Sequence, residues 1–206
     1  MPESPVAQVL AALPPPPEDG RRVVVALAGP PTAGKSTLAE AVVQQLGGRG
    51  VALGLDAFHY DDAVLEARGD RPRKGAPHTY DVAGYAALLD RLRSLPVDQI
   101  ALPVFDRRLE LTRAAATIAE PQHRIVVTEG NWLLLDDDPW DALASRFDLT
   151  VFVRTDLGTI ERRIRERWQR LGYDGGEATY RAEQNDLPNA RLALAGSRPA
   201  DLTIHT

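Results

Sequence analysis

Val23-Val24-Val25-Ala26-Leu27-Ala28-Gly29-Pro30-Pro31-Thr32-Ala33-Gly34-Lys35-Ser36 is the stretch from which the fold can be read. Its first six residues form a continuous, β-branched apolar run, the pattern of a strand buried on both faces. The next eight match G-x-x-x-x-G-K-[ST]. The glycines let the backbone curl so that successive amides face a β-phosphate, reinforced by the positive end of the helix that begins near Lys35. Lys35 reaches the β- and γ-phosphates as a mobile point charge, and the Ser36 hydroxyl can ligate a bridging magnesium ion. Chance alone produces such a match in roughly one per cent of chains of this length. Lys35 is also one of only two lysines against 22 arginines, so compositional accident explains it poorly. The residues expected to hold the phosphates of ATP are Gly29, Pro30, Thr32, Ala33, Gly34, Lys35, Ser36 and Thr37.

Outward from this stretch, Leu38, Ala41, Val42, Gln45 and Leu46 follow helical spacing, and Gly47-Gly48 ends the helix. Further apolar runs read as strands at Val51–Leu55, Ile100–Phe105, Ile125–Thr128 and Leu149–Val153, with a last one at Leu202–Ile204. Helical patterns at Val82–Leu92 and Leu157–Leu171 lie between them. This alternation predicts an α/β domain with a mostly parallel sheet of about five strands and helices on both faces. Residues 1–20 read as a short helix and a spacer stiffened by Pro14–Pro17, and residues 21–206 as one domain. No internal repeat is present.

Composition narrows the function. The formal net charge of -5 counts against nucleic acid as the main partner. The absence of cysteine removes disulfide scaffolds, thiolate metal sites and cysteine nucleophiles together. No apolar run approaches the roughly 20 residues of a membrane span, and no secretion signal is evident, so a cytoplasmic location is expected. The four histidines lack metal-ligand spacing with one another.

In open parallel sheets the site forms beyond the carboxyl ends of the strands, which singles out Asp56 after Val51–Leu55 and Glu129 after Ile125–Thr128. With those strands flanking the first, both acids face the γ-phosphate. Each can accept a hydroxyl proton or hold magnesium, directly or through water. His59, three residues after Asp56, can contact an acceptor or tune that carboxylate. Arg107 and Arg108 follow a strand end and can bind an anionic acceptor. On Leu157–Leu171 an apolar stripe leaves Arg163, Arg167 and Arg170 along one flank, while Arg162 and Arg165 sit outside near Glu161 and Glu166. Gly172–Gly176 reads as a hinge or plain loop, and Asn185–Asn189 as the start of a last helix or an approach to the adenine. Trp132, Trp140 and Trp168 read as packing residues.

The phosphate loop, Asp56-Ala57-Phe58-His59, Thr79-Tyr80-Asp81, Pro103-Val104-Phe105-Asp106 and Glu129-Gly130-Asn131 occur in the order found in the uridine kinase and phosphoribulokinase family. The sequence resembles that family's short bacterial branch over about residues 21–195. The resemblance implies an ATP- and Mg2+-dependent kinase acting on a hydroxyl of a small molecule, with Asp56 as general base and Glu129 assisting magnesium beside Ser36. It also implies an acceptor pocket near Asp56, His59, Tyr80, Phe105 and Arg108. A lid near residues 158–180 would carry Arg163 and Arg167, although the family's Arg-Asp pair stands here as Glu166-Arg167. Members that bind uridine have Tyr-Asp where this chain has Phe105-Asp106, and a His near the position of Glu110. That departure counts against a pyrimidine and brings a polyol, sugar or pantothenate-like alcohol level with it. The alternatives are a nucleoside monophosphate kinase and a nucleotide-dependent switch ATPase. A homodimer is left open.

Overall fold

The computed structural model describes residues 3–94 and 98–206. The first apolar run forms β1 (Val23–Ala28), every residue of which is buried. It lies at the centre of a five-stranded sheet, between β5 (Ile125–Gly130) and β6 (Leu149–Arg154). β2 (Gly50–Gly54) pairs with the outer side of β5 and β7 (Leu202–His205) with that of β6, giving the order β2-β5-β1-β6-β7, all parallel. Because alternate side chains leave opposite faces, β1 feeds two cores. Val24, Ala26 and Ala28 pack with Leu53, Trp132, Trp140, and Tyr85 and Leu89 of α4 (Val82–Ser94). Val23, Val25 and Leu27 pack with Leu38 and Val42 of α2 (Lys35–Leu46) and with Val9 of α1 (Pro5–Ala12). The two tryptophans are thus packing residues, and the leading helix rests on the domain through Val9.

One expected strand joins a different sheet. Ile100–Asp106 is β3, and it pairs antiparallel with β4 (Leu111–Ala119) in a separate two-stranded hairpin. Four residues connect the two strands, far too few for a parallel crossover. Burial along β3 alternates, Ile100 and Leu102 inward and Ala101 outward, which marks a strand with one solvated face. β4 escaped notice because most of Leu111–Ala119 is exposed, leaving no apolar run.

Expectation and structure also differ after α5 (Leu157–Arg170). Gly172–Gly176 is not an extended loop, because Gly175 already opens α6 (Gly175–Arg181), capped by Asp174 accepting from the Glu177 amide. One π-helical turn, Ala182–Asp186, then carries the chain into α7 (Leu187–Gly196). Ile160 and Ile164 of α5, Ala182, and Leu187 and Ala190 of α7 form a third, small core of their own. Among the described residues no helix is long and apolar enough to cross a membrane.

Candidate functional site

The loop between β1 and α2 is set by backbone geometry. Gly29 has φ +147°, and a Cβ there would collide with the carbonyl of Val153 on β6. Thr32 adopts φ 60°, the left-handed region that non-glycine residues rarely occupy. Gly34, at φ 92°, precedes α2 without a side-chain cap, so the first amides of that helix stay available to an anion. Lys35 is only 6% exposed. Its Nζ donates to the Pro30 carbonyl and to Asn131 Oδ1, both at 2.8 Å, so its hydrogen bonds go to neutral oxygens. Burial pushes its pKa down to about 8, against the pull of Glu129 and Asp56.

Parallel register brings the two acids together. Glu129, near the end of β5, lies beside Leu27 of β1 and Gly54 of β2. Asp56 sits in the 3-10 turn (Leu55–Phe58) directly after β2. Only β5 flanks β1 on that side, and β2 is one strand farther out, so Asp56 reaches the cleft from that turn instead of from a strand next to β1. Burial works against the charge on both carboxylates, with different outcomes. At Asp56 the neighbouring His59, Arg107 and Lys35 outweigh it and hold the pKa below the usual carboxylate range. At Glu129, burial and the charge of Asp56 together raise the pKa, opposed by Lys35 and a hydrogen bond with Ser36. The acids are therefore driven apart in proton affinity, the arrangement by which neighbouring carboxyls take different tasks.

The cleft, about 530 Å³, is lined by Thr32, Gly34, Lys35, Ser36 and Thr37 on the loop side, and by Asp56, Arg107, Glu129 and Asn131 opposite. Arg163, Arg167 and Arg170 of α5 close the third side. Arg163 Nη1 donates to the Thr32 carbonyl at 3.2 Å. Arg167 Nη2 donates at 2.9 Å to Asp186 Oδ2, which also accepts from Trp168 Nε1 at 2.6 Å. Arg165 and Arg162 pair outside with Glu161 and Glu166.

Other expected site residues stand behind or beside this cleft. Gly29, Pro30 and Ala33 are buried in the loop, with the Pro30 carbonyl turned to Lys35. His59, Tyr80 and Phe105 form a ring stack next to Asp56, His59 lying 4.0 Å from Tyr80 and 5.5 Å from Phe105 between centroids. His59 Nδ1 is 2.9 Å from the backbone oxygen of Asp56, and the Tyr80 hydroxyl is 3.5 Å from Asp56 Oδ1. Burial raises the Tyr80 phenol well above its ordinary value, so it stays protonated. Arg108 does not enter the site. Its amide, like that of Leu109, donates to Asp106 Oδ1 in the hairpin turn, which sends the Arg108 side chain to solvent. Arg107 enters instead, with Nη2 2.6 Å from Asp56 Oδ2.

Asn131 and Arg170, which the sequence singles out without a role, also line the cleft, and Asp186 supports it from behind through Arg167. Asn131 follows Glu129 by two positions, the spacing that keeps side chains on one side of an extended strand, and that signal could have placed it there. Arg170 completes the arginine flank of α5. Asp186 had no local signal, since its partners, Arg167 and Trp168, are 19 and 18 residues away. Asn185 donates to the Lys74 carbonyl at 2.7 Å, which is where the Asn185–Asn189 segment makes contact. Among the described residues no group of three or more His, Cys, Asp or Glu side chains could hold a metal ion.

No family model matches the sequence. The chain is 35% identical over 190 residues to the Escherichia coli K12 protein YggC, a match covering 89% of this chain and 78% of that one. It is 30% identical over 196 residues to a Schizosaccharomyces pombe protein described as a uridine kinase, covering 89% and 83% of the two chains. The structure superposes with a TM-score of 0.88 on a Silicibacter sp. TM1040 protein described as a fructose transport system kinase, at 36% identity over 96% of each chain.

Proposed function

The chain belongs to the uridine kinase and phosphoribulokinase family of P-loop kinases and is a small-molecule kinase; on that premise we propose that it transfers the γ-phosphoryl group of ATP to an alcohol hydroxyl, with Asp56 accepting the proton. The observation that carries the reading is a single cleft holding Lys35 with two neutral hydrogen-bond partners and Asp56 kept ionised. A buried ammonium without a bonded carboxylate fits an anion, and an ionised carboxylate across the cleft can accept a hydrogen bond, and then the proton, from a hydroxyl.

The loop amides and Lys35 bind the phosphates. Arg163 and Arg167, with Arg170 beside them, face the space where negative charge spreads over the transferring oxygens. The acceptor oxygen bonds to the γ-phosphorus as the bond to the ADP oxygen breaks, and the hydroxyl proton passes to Asp56. The Ser36 hydroxyl and the Glu129 carboxylate are hard oxygen donors lining the same cleft, which suits Mg2+, an ion commonly held by one or two protein ligands plus phosphates and water. When bound, Mg2+ would neutralise and orient the β- and γ-phosphates. Ile160 and Ile164 anchor the segment 158–180 in a small core shared with Ala182, Leu187 and Ala190 and separate from the two sheet cores, as suits a lid that moves over the cleft and expels water.

Relatives described as a uridine kinase, a fructose transport kinase and a pantothenate kinase support nucleosides, sugars and pantothenate-like alcohols as the acceptors to try. The test is ADP release with Mg2+ and ATP across such alcohols and nucleoside monophosphates. Stimulation by an alcohol that is lost in Asp56→Asn supports the assignment. Unchanged turnover in that variant removes Asp56 from the reaction. Preference for a monophosphate reassigns the acceptor.

A further inference from the structure

Asp56 does not stand free for an incoming hydroxyl. Its Oδ2 accepts from Arg107 at 2.6 Å, and its Oδ1 faces the Tyr80 hydroxyl at 3.5 Å. A carboxylate engaged in this way is a weak proton acceptor, and the guanidinium occupies the approach to Oδ2. Arg107 must therefore swing away before a hydroxyl can bind there. It is built to do so: it sits at the tip of the β3–β4 hairpin, and its side chain is 68% exposed.

Two other cations near this mouth are committed elsewhere. Lys74 is held by Asp62 at 2.7 Å, and Arg113 by Asp106 at 3.3 Å. Among the described residues, Asp56 is the one hydrogen-bond partner of the Arg107 guanidinium. A neutral alcohol that takes its place beside Asp56 leaves Arg107 without a hydrogen-bonded anion, the carboxylates of Glu129 and Glu110 acting on it only through their charge. An alcohol bearing its own carboxylate or phosphate exchanges one anionic partner for another, in the planar two-point geometry that guanidinium favours.

We propose that Arg107 is a specificity-determining residue, which releases Asp56 by transferring to a carboxylate or phosphate carried by the acceptor alcohol. This rests on the kinase reading, which supplies the requirement that a hydroxyl reach Asp56.

The experiment compares matched pairs that differ only in the anion: glycerol with glycerate, panthenol with pantothenate, fructose with fructose 6-phosphate. For the wild type, Arg107→Ala and Arg107→Lys, ADP release gives kcat/KM. Calorimetric titration in the presence of Mg2+ and a non-hydrolysable ATP analogue gives affinity. The wild type is expected to prefer the charged member of at least one pair. The preference should fall by about 10- to 100-fold in Arg107→Ala, the worth of a charge-assisted hydrogen bond, and be partly kept in Arg107→Lys. Preference confined to carboxylates or to phosphates names the anion. Turnover of neutral alcohols without charge preference overturns the role of Arg107 and leaves the kinase intact. Charge-selective binding that depends on Arg107, without turnover of any alcohol, sustains the anion site and counts against the kinase. Binding without charge preference, no measurable binding, or a preference unchanged in Arg107→Ala overturns the proposal.

Discussion

Raising the pH should weaken nucleotide binding through Lys35 alone, and by an amount that follows from its burial. The fall of its pKa from 10.5 to about 8 corresponds, at 1.36 kcal/mol per factor of ten, to about 3 kcal/mol against the ammonium form in the empty cleft. Phosphate oxygens favour that same ammonium, so nucleotide binding restores a higher pKa. Below pH 8 the empty protein holds the proton already and affinity is flat. Above pH 8 each further unit lowers affinity about tenfold, because binding must first take up a proton, so Kd at pH 9 is about tenfold weaker than at pH 7. Fluorescence titration of a non-hydrolysable ATP analogue between pH 7 and 10 measures this without knowledge of the acceptor. Lys35→Met should bind weakly and show no slope over the same range. A flat wild-type profile to pH 10, or a slope that survives in Lys35→Met, refutes the reasoning.

Three other outcomes are expected. Asn131→Asp places a carboxylate where the amide oxygen now lies 2.8 Å from Lys35 Nζ, which raises the lysine pKa and moves the alkaline limb of the same titration to higher pH. Asp186→Asn weakens the anchor of Arg167 and Trp168. It should cost about 1–2 kcal/mol, seen as a Tm lower by about 2–8 °C, together with a lower kcat as Arg167 loses its aim. Thr128 donates its one hydroxyl proton to the Leu53 carbonyl, so the Tyr85 hydroxyl must be the donor in their 2.7 Å contact. Tyr85→Phe removes that single buried bond and should lower Tm by about 2–4 °C, with nucleotide affinity unchanged in the titration.

The central sheet was legible because its strands are rich in apolar residues, unbroken and wholly buried in β1 and interrupted only by single polar residues such as Thr150 in β6 and Thr203 in β7. Strand order was not, since nothing local tells Val23 that its partner is Ile125. The hairpin was half visible. β3 carries the buried apolar residues and β4 mostly presents an exposed Arg113 and Ala114–Ala116 between half-buried threonines, so only the first half resembled a strand. In the site, residues that act through backbone geometry or sit at strand ends announced themselves, as Gly34, Lys35, Asp56 and Glu129 did. Those that act by reaching across the fold, Arg107 to Asp56 and Asp186 to Arg167, depend on which side of a turn a side chain leaves. Arg107 and Arg108 are chemically identical in sequence, and only the Asp106 turn separates them.

The strand order has a consequence for the making of the protein. β1 finds both neighbours late: Val23 pairs with Ile125, and Val25 with Leu149. At a synthesis rate of 5–20 residues per second, about 100 residues must follow β1 before its first partner exists, a delay of about 5–20 s. Throughout that interval the most apolar strand of the chain is on the ribosome with its ladder unformed. Its early cover must come from Val9 of α1, already made, and from α2, whose Leu38, Ala39 and Val42 are translated within 20 residues of it. Nascent-chain survival should therefore fall more steeply with substitutions on that helix face than their cost to equilibrium stability alone accounts for.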